Sequence, residues 1–380
     1  MKPITIQAIH LHPIALPFVE MLRTSFGQDP FKAAVLVEVV ATNGITGWGE
    51  ISVEIEQARR AETVGTAQHI ANNFLIRSWS GRSSTTCASS QADAAHARQQ
   101  PHQPGLESGY LGRAGAGERH APRRPVRQLP AGRQQIARES HRRRQHRYQP
   151  SVEATVAIIE ALQPGLPARQ AEDSARLGRG AGARRCRAAL PDITLMLDAN
   201  SAYTLADTDH LAELDAFNLL MIEQPLGDDD IYEHSKLQPS LKTPICLDEC
   251  VKSNNDLRLA IELGAARILN LKPVRVGGYV ESLEIYKTCV ANSFPLWIGG
   301  MLEVGVGRAA NVAFASLPGV TMPCDISATD RYFNPDLTEP PFVLQEGSTL
   351  AVPDGTGVGV VMQRDRLAEA EAHSPSPSIV

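Results

Sequence analysis

No stretch of the 380-residue sequence comes near the ~18 consecutive apolar residues of a membrane span, so a membrane protein is not expected. Excess positive charge is missing as well. With a net charge of −5 and a pI near 6.1, the composition gives no general reason for a nucleic-acid or anionic-membrane partner. Cysteine is sparse and scattered, at Cys87, Cys186, Cys246, Cys250, Cys289 and Cys324. Cys246 and Cys250 have no second pair to complete a zinc site, so the thiols read as reduced and mostly buried. The opening MKPITIQAIHLHPIALPF has Pro and His inside its apolar part and no small-residue cleavage site, which makes it a poor signal peptide and leaves a cytoplasmic protein as the expectation. One further absence is local: the 72 residues from Arg77 to Tyr148 contain fourteen Arg, no Lys and only five of Leu, Ile, Val, Phe or Met.

Against these absences, 43% of the residues are apolar, enough for a large core, and one stretch carries a regular pattern. Between Thr194 and Gly300 short apolar runs end in a charged residue four times. Leu195–Leu197 ends at Asp198, Leu219–Ile222 at Glu223, Ile245–Leu247 at Asp248, and Ile268–Leu271 at Lys272, at spacings of 25, 25 and 24 residues. That period suits one strand, one helix and two short loops, so each charged residue falls where a buried parallel strand meets its loop. In a (β/α)8 barrel those positions converge on one mouth. Three carboxylates there offer hard oxygen ligands for Mg²⁺, with a lysine on the next strand in reach of whatever the ion holds. A single carboxylate after a strand is more often only a helix cap; the equal spacing argues for more.

Asp198-Ala199-Asn200, Glu223-Gln224-Pro225-Leu226, Asp248-Glu249 and Asn270-Leu271-Lys272-Pro273 together resemble the metal and base motifs of the enolase superfamily, in its muconate-lactonizing branch. Arg275-Val276-Gly277-Gly278 and Gly299-Gly300-Met301-Leu302-Glu303 are most similar to o-succinylbenzoate synthases and N-acylamino acid racemases. The resemblance implies a (β/α)8 barrel with an N-terminal α+β capping domain: residues 1–130 as the cap, 131–350 as the barrel, 351–372 returning to the cap and 373–380 as a tail. It implies a Mg²⁺ site, with Mn²⁺ able to substitute, formed by Asp198, Glu223 and Asp248. Lys272 would be catalytic and Asn200, Gly300, Met301 and Glu303 would bind substrate. The expected substrate is a small carboxylate whose α-proton is removed, and a homo-oligomer is expected. Dehydration to o-succinylbenzoate in menaquinone biosynthesis is the first reading, with N-acylamino acid racemisation and an inactive pseudoenzyme as alternatives. Glu303 reads equally as a helix-start carboxylate or as a hydrogen-bond partner of Lys272, and Asp325 as structural.

In the cap, the alternating and apolar runs of residues 3–20 and 33–40 predict an antiparallel meander turning at Thr42-Asn43-Gly44. Arg23–Gly27 falls where the family has a loop that closes over the site. Leu205–Leu214, Asn255–Leu263 and Glu281–Ala291 read as outer helices, Val152–Leu162 as an earlier one, and Leu296–Ile298 and Met322–Asp325 as strands seven and eight.

The resemblance disappears over 77–148 and 164–187, the second patch having six Arg in 24 residues. At face value residues 77–148 are a polar linker or a basic nucleic-acid arm, with the Arg-rich 113–147 stretch as the part that would contact nucleic acid. The genetic code offers a better account. Read one nucleotide downstream, Gly165–Asp173 can encode Gly-Tyr-Arg-Arg-Val-Lys-Leu-Lys-Ile, and Arg143–Tyr148 can encode Gly-Val-Ser-Ile-Gly-Ile; these are the family's Lys-x-Lys strand and a first barrel strand. Both patches therefore read as frame-shifted. In the chain as written Gln170 and Glu172 stand where the resemblance calls for lysines, and neither can serve as an amine base. Residues 141–148 and 166–173 are also too polar for a packed barrel interior, so an unclosed barrel is expected.

Overall fold

The computed structural model describes residues 4–24, 27–53, 62–79, 83–84, 169–172, 187–188, 191, 194–345 and 349–374. The long alternating run at the start becomes β1 (Ile4–Thr24), which pairs antiparallel with β2 (Gly27–Ala41), which in turn pairs with β3 (Thr46–Ile51). The short β4 (Ser83–Ser84) lies along the other edge of β1, giving the order β3-β2-β1-β4. The turn at Thr42–Gly44 forms as predicted, with Gly44 at φ 79°, a conformation that favours glycine. Arg23, Thr24 and Gly27 sit at the end of the β1–β2 hairpin, where Thr24 still pairs with Gly27; Ser25 and Phe26 lie outside the described residues.

The apolar run of β2 is continuous because both faces of this sheet are covered. Val35, Val37 and Val39 pack with Ile6, Ile51 and the helix Val64–Ile70, whose first turn is closed by a capping box between Thr63 and Thr66. Ala34 and Leu36 point the other way, against Ile14, Val304, Phe333 and Leu367. The last of these belongs to the helix Arg364–Ala372, which is anchored on the sheet by Glu371 to His12 Nδ1 at 2.8 Å and by Arg364 to the buried Glu38. A two-stranded ribbon of β11 (Thr338–Glu339) and β12 (Val361–Met362) leads into that helix.

The second sheet is wholly parallel. It comprises β5 (Arg169–Glu172), β6 (Leu195–Asp198), β7 (Ile222–Glu223), β8 (Ile245–Leu247), β9 (Ile268–Leu271) and β10 (Leu296–Ile298), side by side in sequence order. Strand alternation divides its side chains. Leu195, Leu197, Ile222, Ile245, Leu247, Leu269, Leu271, Leu296 and Ile298 face the helical layer of Thr208–Glu213, Asn254–Leu263, Tyr279–Ala291 and Gly305–Ala315. Met196, Met221, Cys246, Ile268 and Trp297 form a separate apolar cluster on the concave side.

Six strands are paired where eight are expected of a closed barrel, so the described residues form a curled half-barrel. Met322–Asp325, expected as the eighth strand, does not form a ladder. Only isolated parallel bridges join Leu296 to Val320 and Gly299 to Asp325, and Pro323 has no N–H with which to continue them. The predicted first strand at 143–148 and the helix at Val152–Leu162 lie outside the described residues. The polar 166–173 segment nevertheless supplies a strand: β5 pairs with β6 in parallel register, placing Gln170 level with Met196 and Glu172 level with Asp198. The ladder is made by the backbone, which the side-chain types do not forbid.

Candidate active site

The alternation that sends Leu195 and Leu197 to the helices sends Asp198 to the concave face, and the same parity holds on the neighbouring strands. Glu223 shares the side of Met221, Asp248 that of Cys246, and Asn270 and Lys272 that of Ile268. The four charged residues therefore sit at the carboxyl ends of four adjacent parallel strands on one face, where sites in such sheets are built.

Glu223 is 1% exposed. One of its oxygens accepts a 2.6 Å hydrogen bond from Asn270 Nδ2, and the other, Oε2, is buried with no hydrogen-bond partner among the described residues. Burial, and then the charges of Asp198 and Asp248, push its carboxyl well above the ordinary range. Asp248 responds in the opposite direction. Burial alone would raise it, but Arg275 and Lys272 hold it below its usual value. Lys272 Nζ lies 2.7 Å from Oδ2, and Arg275 grips Oδ1 while approaching Glu249 at 4.0 Å. Asp198 Oδ1 accepts the backbone N–H of Asn200 at 3.0 Å, across a turn in which Asn200 and Ser201 both have positive φ.

Among the described residues, no three His, Cys, Asp or Glu side chains surround a common point at ligating distance. The reason is visible in the bonding: both oxygens of Asp248 are taken by cationic side chains. The donor set still suits a hard divalent cation. Asp198 and Asp248 add to the cost of ionising buried Glu223, one of whose oxygens is orphaned beside them, an arrangement that costs free energy until positive charge enters.

The Gly299–Glu303 segment forms the neighbouring wall. A Cβ at Gly299 would stand 2.3 Å from Asn270 Oδ1 and 2.6 Å from Lys272 Cε, so glycine is required by close approach. Gly300 donates its N–H to Asp325 O at 2.8 Å. Of the two readings of Glu303, the helix-start position holds, since it stands two residues before the helix Gly305–Ala315, and the bond to Lys272 is not made. Its Oε2 accepts from Met301 N at 2.9 Å and its Oε1 from Asn311 Nδ2 at 3.0 Å, which fixes the loop and leaves Lys272 to Asp248. Asn200 is exposed at the rim, and Met301 is buried under the cap.

Asn270, Arg275, Glu249 and Gln224 stand in the quoted motifs but were given no role by sequence. Period-two alternation before Lys272 identifies Asn270 as facing the site. Gln224 points elsewhere: its Oε1 accepts from Asp248 N at 2.9 Å and its Nε2 donates to Gly227 O at 2.9 Å, linking the β7 and β8 loops.

A parallel βα sheet with an antiparallel cap, and acidic and lysine side chains at successive strand ends, defines a class. The profile of the family described as "Enolase C-terminal domain-like" matches residues 181–366, and the chain belongs to the enolase superfamily. Within it, the sequence is 35% identical over 376 residues to an o-succinylbenzoate synthase of Bacillus subtilis, covering 95% of each chain. It is equally 35% identical over 377 residues to an N-succinylamino acid racemase of Amycolatopsis, covering 96% of this chain and 97% of that one. Among solved structures, an enolase-superfamily member from Enterococcus faecalis superposes with a TM-score of 0.84 at 32% identity, over 97% of this chain and 98% of that one. The chain is thus an enzyme of the type these relatives define, and its chemistry is the proton abstraction of the superfamily.

Proposed function

We propose that the protein removes the proton α to the carboxylate of a small substrate, with Asp198, Glu223 and Asp248 holding Mg²⁺ or Mn²⁺ and Lys272 acting as a catalytic amine, the one that exchanges the proton in the racemase reading, in a completed (β/α)8 barrel. The observation that supports this reading best is the orphaned, buried Glu223 Oε2 between two further carboxylates and an amine on one sheet face. When bound, the cation supplies the positive charge that offsets negative charge building on the substrate carboxylate as the proton leaves.

The protein's own residues do the rest. Asn270 fixes one Glu223 oxygen and so orients the other. Arg275 shares Asp248 with Lys272, which gives that carboxylate a second partner when the lysine turns to take a proton. Glycine at 299 leaves the space in which Lys272 lies.

Dehydration to o-succinylbenzoate is the first reaction, supported by the o-succinylbenzoate synthase at 35% identity over nearly the whole chain. Racemisation of an N-succinylamino acid is the second, supported by the racemase at the same identity. Both need a second amine across the substrate: as the resemblance implies, in the dehydration that amine takes the proton while Lys272 faces the enediolate, and in the racemisation both exchange protons. In this chain the corresponding strand carries Gln170 and Glu172, so both turnovers should be impaired as written. The Arg-rich 113–147 stretch is then a product of displaced reading frame and binds no nucleic acid.

The metal assignment is tested by Mn²⁺ binding to the full chain. Asp198→Asn and Asp248→Asn should each abolish it, and undiminished binding in either variant would remove the site as assigned.

A further inference from the structure

The cap and the half-barrel meet through buried charge rather than through apolar surface alone. Lys32 on β2 is 5% exposed, and its Nζ donates to Ser52 Oγ at 2.5 Å and to the backbone oxygen of Met301 at 3.2 Å. Ser52 Oγ donates to the same oxygen at 3.3 Å. Glu50, at the end of β3 and 3% exposed, accepts the N–H of Val304 at 3.0 Å, while its Oε1 is buried with no hydrogen-bond partner among the described residues. Both cap residues therefore hold backbone atoms of the barrel's seventh loop.

The loop they hold needs holding. Leu302 has φ 61°, a left-handed conformation that a branched side chain seldom adopts, and it lies between the two gripped positions. From the barrel side Asp325, Asn311 and Arg308 brace it, Asp325 O accepting from Gly300 N at 2.8 Å, Asn311 Nδ2 donating to Glu303 Oε1 at 3.0 Å and Arg308 Nη2 donating to Glu303 O at 2.8 Å. Gly307 leaves the gap through which Glu50 enters, since a Cβ there would stand 2.5 Å from Glu50 Oε2.

We propose that Lys32 and Glu50 are positioning residues for the Gly300–Glu303 segment, so that this wall of the site takes its shape only when the cap is docked. The inference rests on the proposed function solely for the view that the segment faces substrate. It makes the site a property of the whole chain: the half-barrel by itself would present the metal and base residues beside a relaxed seventh loop.

Amide hydrogen exchange on the full chain tests the grip, and calorimetric binding of an N-succinylamino acid with Mg²⁺ tests its consequence. Glu50→Ala and Lys32→Met should each speed exchange over 300–305 by about tenfold or more while leaving β6 to β9 within about twofold. They should weaken the N-succinylamino acid by roughly tenfold, and Glu50→Gln, which keeps an acceptor for Val304, should leave both readings near the parent's. Unchanged exchange over 300–305, or exchange raised equally throughout the chain, would overturn the proposal. Local loosening with undiminished ligand binding would overturn it as well, because the grip would then shape nothing the ligand meets. A parent protein that binds no N-succinylamino acid would sink the functional reading instead, and the exchange data would still decide whether cap residues hold the loop.

Discussion

Replacing Glu50 by glutamine should flatten the dependence of stability on pH. The Glu50 carboxyl is pushed from 4.5 up to about 8, first by burial and then through Lys32, which opposes the shift, Glu303 and Asp336, which add to it, and Arg308, which opposes it. A carboxyl that keeps its proton longer in the folded state than in the unfolded chain contributes fully below pH 4.5. That contribution is lost as pH rises through the window from 4.5 to about 8. Linkage gives at most about 1.4 kcal/mol per pH unit, so the loss over the whole window approaches about 5 kcal/mol, a large part of a domain's stability. Glutamine keeps an acceptor for Val304 and does not titrate. Urea unfolding of parent and Glu50→Gln at several pH values between about 5 and 8 should therefore give slopes differing by up to about 1.4 kcal/mol per pH unit. Glu223 and Glu249, raised by burial and neighbouring carboxylates and the latter to about 7, tilt both proteins in the same direction and drop out of the difference. Parallel slopes would refute the buried, proton-bearing state of Glu50.

Two other perturbations rest on single contacts and a third on the reading frame. Gly299→Ala should cost about 1–3 kcal/mol in a melt, since its Cβ would stand 2.3 Å from Asn270 Oδ1, and should displace Lys272 enough to lower turnover of an active form further than stability alone explains. His234 is fully buried, with Nε2 accepting from Leu226 N at 3.2 Å and Nδ1 donating to Asp230 O at 2.5 Å; burial holds it below 6.5 despite Asp230, so stability should fall as pH drops below 6.5, a limb missing in His234→Gln. Restoring the reading frame across 77–148 and 164–187 should bring back a Lys-x-Lys strand at the position of β5 and with it dehydratase or racemase turnover; an inactive, well-folded product would contradict the frame argument.

Local physics made the strand ends legible. A strand that ends in a charge every 24 or 25 residues can point those charges only to one mouth, and Asp198, Glu223, Asp248 and Lys272 do share one face. The cap hairpins were legible for a similar reason, since alternation and an Asn-Gly turn act over a few residues. The bonds of Glu303 and the grip of Glu50 and Lys32 were not. Glu50 and Val304 are 254 residues apart, and Lys32 and Met301 are 269 apart, so no local pattern announces them. The eighth strand is legible only in its place: Asp325 bridges Gly299 beside strand seven, but with no N–H on Pro323 the segment forms isolated bridges rather than a ladder.

The central claim, an α-proton removed by Lys272 beside a divalent cation, is tested most directly on the chain as written. With lysine on one side of the substrate and Gln170 and Glu172 translated on the other strand, abstraction and return of the proton should occur on one face only. Incubated in D₂O with Mg²⁺ and each enantiomer of an N-succinylamino acid, the protein should place deuterium at the α-carbon of one enantiomer, seen by NMR, without inverting it, and Lys272→Ala should abolish the exchange. No Mg²⁺-dependent exchange in either enantiomer, or exchange that survives Lys272→Ala, would contradict the account.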